Sequence, residues 1–147
     1  IRKALKEADL VIGSVLIPGK AAPKIFKKKY LKEMRPGSVF VDVAVDQGGC
    51  GESTRVTTHS DPIFVEDGVI HYCVGNMPGA VPHTSTIALS NETFKYARMM
   101  ANHGLEAALK MDEGLARGLN IYNHKCTNKN VALSLGLEYT NAYEAMI

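Results

Sequence analysis

The run Val39-Phe-Val-Asp-Val-Ala-Val-Asp-Gln-Gly-Gly-Cys50 constrains this chain more than any other segment. It is almost continuously apolar and β-branched, and it stops at an acid, an amide and two glycines. Such a run predicts a strand over residues 38–45 that is buried on both faces, as in a parallel sheet. Open α/β sheets bind their ligands just beyond the carboxyl ends of the strands. Asp46, Gln47, Gly48 and Gly49 are therefore expected at a binding crevice.

The flanking sequence supplies the rest of such a sheet. Residues 1–8 read as a charged, amphipathic helical turn, and residues 9–17 as a buried strand stopped by Pro18-Gly19. Pro23 suits the first turn of a helix, and Ile25, Phe26, Tyr30, Leu31 and Met34 follow at roughly helical spacing. Arg35-Pro-Gly37 closes that segment, so the order is strand, helix, strand. Residues 47–61 read as a long loop. A hairpin turning on Asp67-Gly68 then joins Ile63-Phe-Val65 to a further strand over residues 69–74. Beyond Pro82 helical signals dominate. Thr84-Ser-Thr86 offers a cap, with Ser90 or Asn91 capping a second segment. Gly104 marks a break, and residues 105–118 form one or two short helices. Thr127 caps a last helix that Gly136 closes. The fold class expected is α/β, divided near residue 80 into an α/β part (1–80) and a helical part (81–147).

Composition narrows the function. A chain of 147 residues, 46% hydrophobic and 22% charged, suits a globular domain. Its formal net charge of +2 argues against nucleic acid as a partner, and Lys27-Lys28-Lys29 reads as a solvated face. No apolar stretch reaches membrane-spanning length, and a cytoplasmic location is expected. Cys50, Cys73 and Cys126 form neither a Cys-x-x-Cys pair nor a zinc pattern, which predicts reduced thiols. The opening Ile1-Arg-Lys-Ala-Leu resembles the end of a helix, and a fragment of a longer protein is expected.

Three loops follow the three parallel strands: Ser14–Gly19, Asp46–Gly49 and Gly75–Gly79. In a parallel sheet they emerge at one edge and bring together backbone N–H groups, a carboxylate and two amides. Glycine lets the backbone approach a ligand closely, and such an edge suits a nucleotide cofactor. The plainer reading is that Pro-Gly and Gly-Gly only turn the chain. The Gly-x-Gly-x-x-Gly fingerprint is absent. Gly48-Gly49-Cys50-Gly51 does not supply it, so a pyrophosphate loop would lie upstream of Ile1.

The motifs Val15-Leu-Ile-Pro-Gly19, residues 36–50, Thr57-Thr-His-Ser-Asp-Pro62 and His71-Tyr-Cys-Val-Gly-Asn-Met-Pro-Gly-Ala-Val-Pro82 closely resemble the NAD-dependent alanine dehydrogenases. The likeness extends to Gly118-Leu-Asn120 and Tyr122-Asn123. The NAD-binding subunit of proton-translocating transhydrogenase is a nearby relative, with a similar Ile-Pro-Gly loop and Gln-Gly-Gly turn. The forms Asp46-Gln-Gly-Gly-Cys50 and Asn76-Met-Pro-Gly79 favour alanine dehydrogenase.

The resemblance implies an enzyme, usually hexameric, that interconverts L-alanine and pyruvate plus ammonia with NAD. It implies that residues 1–80 are the second half of a Rossmann-type sheet and that residues 81–147 return to pack on a substrate domain outside this chain. Val15 and Leu16 would contact NAD through backbone. Val43, Ala44, Val45 and Asp46 would run beside the nicotinamide ribose, and Val74, Gly75, Asn76 and Met77 would approach the nicotinamide. Arg55 falls at a cofactor-contact position, and Asp46 matches the family's active-site aspartate. The deamination passes through an imine and a carbinolamine, so a carboxylate within one water of the reacting carbon can act as base or orient that water. The plainer role for Asp46 is to bond a ribose hydroxyl or cap the turn.

By the same resemblance, the catalytic His, the substrate-binding Lys and Arg, and the ribose-binding acid precede Ile1. His71 is expected to pack or hydrogen-bond within the sheet, and His59 to stabilise its loop. A metal pair known in some relatives would fall on Met99 and His103, and a thioether suits hard cations poorly, so no metal is expected. Gly51 and His83 depart from the residues usual at their positions, which would loosen the crevice. The rival readings are a nucleotide-binding or interface module without amino-acid chemistry, as in the transhydrogenase subunit, and a purely structural helical module built on residues 82–147.

Overall fold

β-branched and aromatic residues dominate the segments that pair in the computed structural model, which describes residues 1–146. The chain divides into two units. One comprises Ile1–Ile17 and Ala21–Ala80, and the other Pro18–Lys20 with the chain from Val81 onward.

The first unit holds a four-stranded sheet made of β1 (Leu10–Gly13), β2 (Val39–Asp42), β3 (Ile63–Glu66) and β4 (Val69–Tyr72), ordered β1-β2-β4-β3. β1, β2 and β4 run parallel, with Gly13 opposite Asp42 and Val41 opposite Tyr72. Their carboxyl ends are thus level. β3 pairs antiparallel with β4 across the two-residue turn Asp67-Gly68. Both turn residues have positive φ, 49° and 79°, the mirror-image turn that matches strand twist. The short helix α1 (Arg2–Leu5) precedes β1 and is tied to the crossover by Arg2 Nε, which donates to Glu33 Oε1 at 2.7 Å.

Several expectations need correction. β1 covers only Leu10–Gly13 of the strand expected over residues 9–17. β2 stops at Asp42 instead of running to Val45, because the Asp42 carboxylate accepts the Ala44 N–H and starts a 3-10 helix over Val43–Gln47. The β1–β2 crossover contains no α-helix from Pro23 and only a 3-10 helix over Lys28–Glu33. Helical spacing loses there because the backbone is engaged elsewhere. The Ala22 N–H donates to the Gln47 carbonyl, Phe26 N–H to Cys50, and Glu52 N–H to Phe26.

The core lies on one face of the sheet. Phe40 and His71 are fully buried there, with Leu31 from the crossover. Phe26 stacks on Phe40 at 4.2 Å, Phe40 meets the edge of His71, and His71 stacks on Phe64 at 4.7 Å. Each such apolar side chain contributes about 1.5–3 kcal/mol on burial. The opposite face carries Leu10, Ile12, Ile63 and Val65, all exposed, beside half-buried Val39, Val41, Ile70 and Tyr72. β2 is therefore buried on one face instead of two, since no layer of the first unit's described residues covers the other.

In the second unit α2 (Pro82–His103) is one continuous helix. It starts at Pro82, which needs no N–H bond in the first turn, so neither Thr84–Thr86 nor Ser90/Asn91 caps a segment. Gly104 ends it, as expected, at φ 76°. α3 (Leu105–Met111) and α4 (Glu113–Arg117) follow, with Asp112 capping α4 through the Leu115 N–H. A hairpin of β5 (Ile121–Tyr122) and β6 (Lys125–Cys126) turns on Asn123 and His124, both with positive φ. α5 (Lys129–Leu135) is capped by Asn128 instead of Thr127 and closed by Gly136 in the left-handed conformation. α6 (Ala142–Ala145) is capped by Asn141. Asn130 Nδ2 donates to the Pro18 carbonyl at 2.8 Å, and the Ser134 hydroxyl to the Gly19 carbonyl at 3.2 Å. No helix among the described residues is long and apolar enough to cross a membrane.

Candidate functional site

The site is built on Asp42, which lies at the carboxyl end of β2 and is fully buried. A buried carboxylate must be surrounded by donors. Asp42 accepts the N–H groups of Ala44 (3.1 Å), Cys50 (2.8 Å) and Gly51 (3.1 Å). It also accepts the Thr54 hydroxyl (2.5 Å) and the Cys50 thiol (3.4 Å). This one side chain folds residues 43–54 back over the strand end and so presents Asp46 to solvent. Lys24 Nζ donates to the Gly48 and Gly49 carbonyls and holds the turn from outside.

Gly48 is required by its φ of 87°, and two further glycines of this turn are required by crowding. Gly49 has φ 72°, and a Cβ there would lie 2.5 Å from Thr54 Cγ2 and 2.8 Å from Asp42 Oδ2. A Cβ on Gly51 would lie 2.6 Å from Thr54 Oγ1 and 2.8 Å from Phe40 Cε1. Position 51 is thus filled by its neighbours, and glycine there leaves no slack, contrary to the loosening expected from the sequence.

Burial and the neighbouring Asp42 carboxylate push the Cys50 thiol up to about 11. Burial likewise pushes the Cys73 thiol up to about 11, with Asp42 adding to it. All three cysteines are free and buried.

Asp46 meets the loop after β4. The Asn76 N–H donates to its carboxylate, at 3.1 Å from Oδ1 and 3.2 Å from Oδ2. Asp46 is otherwise an exposed residue. Asn76 has φ 53°, and its carbonyl accepts from the Gly79 N–H at 2.9 Å and from His59 Nε2 at 3.1 Å. Gly75 keeps the floor low, since a Cβ there would come within 3.3 Å of Asp46 Oδ1 and 3.4 Å of Val56 Cγ1.

The structure therefore brings together Asp46, Gly75 and Asn76, with Val43–Val45 on the same turn. Ala44, Val45 and Val74 are buried, and Val43 is the exposed member of these two segments' apolar residues. Val15 is half-buried against the core, Leu16 is exposed, and both follow β1 at the same sheet edge. Met77 opens a 3-10 helix over Met77–Ala80. Arg55 lies elsewhere, with its guanidinium 4.1 Å over the Phe64 ring of β3, and takes no part in the Asp46–Asn76 contact. His71 bonds within the sheet: Nδ1–H donates to the Val69 carbonyl at 3.0 Å, leaving Nε2 to accept the buried Ser53 hydroxyl at 2.9 Å. No His/Cys/Asp/Glu group among the described residues has metal-binding geometry.

Sequence reasoning missed Asp42 as the organiser of the turn and His59 as a partner of Asn76. An acid interrupting an apolar run at a buried position was the available signal for Asp42. His59 was expected only to stabilise its own loop, and nothing in the sequence joined it to Asn76. A cavity of ≈ 340 Å³ in the second unit, lined in part by Pro18, Arg117, Asn128 and Tyr143, contains none of the predicted site residues. The predicted site residues Val15, Leu16, Asp46, Gly75 and Asn76 lie instead at or just beyond the carboxyl ends of β1, β2 and β4.

One exposed carboxylate and glycine-lowered loops at level strand ends fit one wall of a nucleotide site. Over residues 1–129 the chain matches the family described as alanine dehydrogenase/PNT, C-terminal domain. It is 52% identical to an alanine dehydrogenase of Staphylococcus haemolyticus over 99% of this chain and 39% of that one. It is 51% identical to one of Halomonas elongata, over 97% and 38%. Among solved structures it resembles an L-alanine dehydrogenase with TM-score 0.75 and 48% identity, covering 92% of this chain and 37% of the other. A transhydrogenase from Sinorhizobium meliloti aligns less closely, with TM-score 0.60 and 27% identity over 67% of this chain and 29% of the other. The chain spans about two fifths of the length of the alanine dehydrogenases it matches (39% and 38%).

Proposed function

The chain belongs to the alanine dehydrogenase/PNT C-terminal domain family, and from that premise we propose that it supplies the C-terminal part of an NAD-dependent alanine dehydrogenase. The whole protein would interconvert L-alanine and pyruvate plus ammonia. The observation that carries the reading is the exposed Asp46 carboxylate, held at the strand ends by the Asn76 N–H at 3.1 Å.

Bound NAD would supply the hydride acceptor. Val15 and Leu16 would support it through backbone, Val43–Asp46 would flank its ribose, and Val74–Met77 would face the nicotinamide. Arg55 joins them only if it leaves the Phe64 ring. Asp46 serves the proton steps. Its lone pairs not engaged by Asn76 face solvent, where they can take a proton from the water that adds to the imine carbon. The same carboxylate can then orient the carbinolamine as ammonia departs. Gly75 leaves room for this beside the carboxylate. The same reading makes the whole protein a cytoplasmic homohexamer, as the family resemblance implies.

Replacing Asp46 with Asn in the whole protein removes the base and preserves its shape. The expected loss in kcat is roughly 10²-fold, the scale of acid–base catalysis, with little change in KM for NAD. An unchanged kcat would reduce Asp46 to a binding residue.

A further inference from the structure

We propose that His59 is a positioning residue for this site, acting on Asp46 through the Asn76 backbone; the inference rests on the alanine dehydrogenase reading above. A residue's φ and ψ are fixed when both peptide units flanking it are held. At Asn76 the two units are gripped from opposite sides. The N–H of the first donates to the Asp46 carboxylate at 3.1 and 3.2 Å. The carbonyl of the second accepts from His59 Nε2 at 3.1 Å and from the Gly79 N–H at 2.9 Å. Because the acceptor is a carbonyl, His59 must present Nε2 as the protonated nitrogen.

Asn76 needs such a grip. Its φ of 53° is a left-handed conformation, which non-glycine residues adopt at a cost. If the second peptide rotates, the N–H of the first no longer aims at Asp46, and the carboxylate loses the contact that orients it.

His59 is not needed to hold its own loop. The Asp61 N–H donates to the Thr58 carbonyl at 3.2 Å and to Thr58 Oγ1 at 3.3 Å. Thr58 and Ser60 hydroxyls lie 3.0 Å apart, and the Thr57 hydroxyl donates to the Pro62 carbonyl at 2.9 Å. The same segment is docked on the strand end, where Thr57 N–H donates to the Cys73 carbonyl and Gly75 N–H to the Thr57 carbonyl. The turn is complete without the imidazole, which is exposed and reaches out to Asn76. Gly79 makes room for it, since a Cβ at that position would lie 3.3 Å from His59 Nε2 and 3.2 Å from Asn76 Nδ2.

The test is a double-mutant cycle on the whole protein, with L-alanine and NAD. His59→Ala is expected to lower kcat about tenfold, well inside what a misplacement of about 1 Å can cost, with KM for L-alanine and the melting temperature little changed. His59→Gln can still donate to the Asn76 carbonyl and should recover most of the loss. In an Asp46→Asn background His59→Ala should cost almost nothing more, because residues acting through one group are not additive. Full activity of His59→Ala overturns the inference, as does a loss that Gln does not recover or one that is additive with Asp46→Asn. A wild-type protein that fails to oxidise L-alanine with NAD refutes the underlying functional reading instead.

Discussion

A single buried carboxylate decides the local chemistry. Asp42 draws in three backbone N–H groups, one hydroxyl and the Cys50 thiol, and the turn that displays Asp46 is the outcome. Burial, with the same charge adding to it, disfavours the thiolate of Cys50 and Cys73. Cys50 and Cys73 lie at about 11 in the fold against 9.0 for a free thiol. A group whose pKa is raised by folding adds stability that is complete below its unfolded value and lost as pH climbs through the folded one. The window here is therefore pH 9.0 to about 11, with stability falling as pH rises. Cys50→Ala should make that fall shallower in urea titrations across the window. At about pH 8.5, where a free thiol is substantially ionised, iodoacetamide should label Cys50 and Cys73 only after urea unfolding. Labelling of the native chain at the free-thiol rate would show that the Asp42 cluster opens readily.

At the scale of elements, the uncovered sheet face has a consequence for the chain in isolation. Leu10, Ile12, Ile63 and Val65 stand exposed across the outer strands, and β1 lies at the end of the strand order. Apolar patches of more than a few hundred Å² seek a cover, and an unpaired strand edge templates association. The isolated chain should self-associate with rising concentration in sedimentation velocity and bind an apolar dye. Ile12→Lys with Ile63→Lys should suppress both without loss of the far-ultraviolet dichroism. A chain that stays monomeric and dye-free would mean that this face is already covered. The same elements show what was legible in the sequence. The level parallel strands and the Asp67-Gly68 hairpin were readable, because β-branched runs and an Asp-Gly turn encode them locally. The end of β2 was not, because the apolar pattern continues through Val45 while the backbone turns at Asp42. Nor was the crossover, where helical spacing from Ile25 to Met34 yields to backbone bonds with residues 47–52. The β5–β6 hairpin was missed because Asn123-His124 is a weaker turn signal than Asn-Gly. At the site, the position of Asp46 was readable from strand-end logic. Its dependence on Asn76 and His59 was not, since those contacts join residues 46, 59 and 76 only in three dimensions.

For the whole molecule, the decisive question is whether this chain can act alone. On the proposed reading, oxidation of an amino acid needs a cation to hold the substrate carboxylate and a second acid–base group to share protons with Asp46. Neither is seen to contact Asp46 among the described residues of the first unit. The Arg55 guanidinium lies over Phe64, Lys24 is committed to the Gly48 and Gly49 carbonyls, and His59 is committed to the Asn76 carbonyl. One wall of a nucleotide site also gives little affinity, because enclosing a ligand accounts for much of the binding at such sites. The isolated chain should therefore show no turnover of L-alanine with NAD above that of its Asp46→Asn variant. Joining it to the preceding three fifths of the Staphylococcus haemolyticus alanine dehydrogenase, to which it is 52% identical in the shared part, should restore turnover that depends on Asp46. Turnover by the isolated chain at the rate of the joined protein would show that these residues themselves supply both groups, with Arg55 as the cation, since among the described residues its guanidinium is held only by the Phe64 ring.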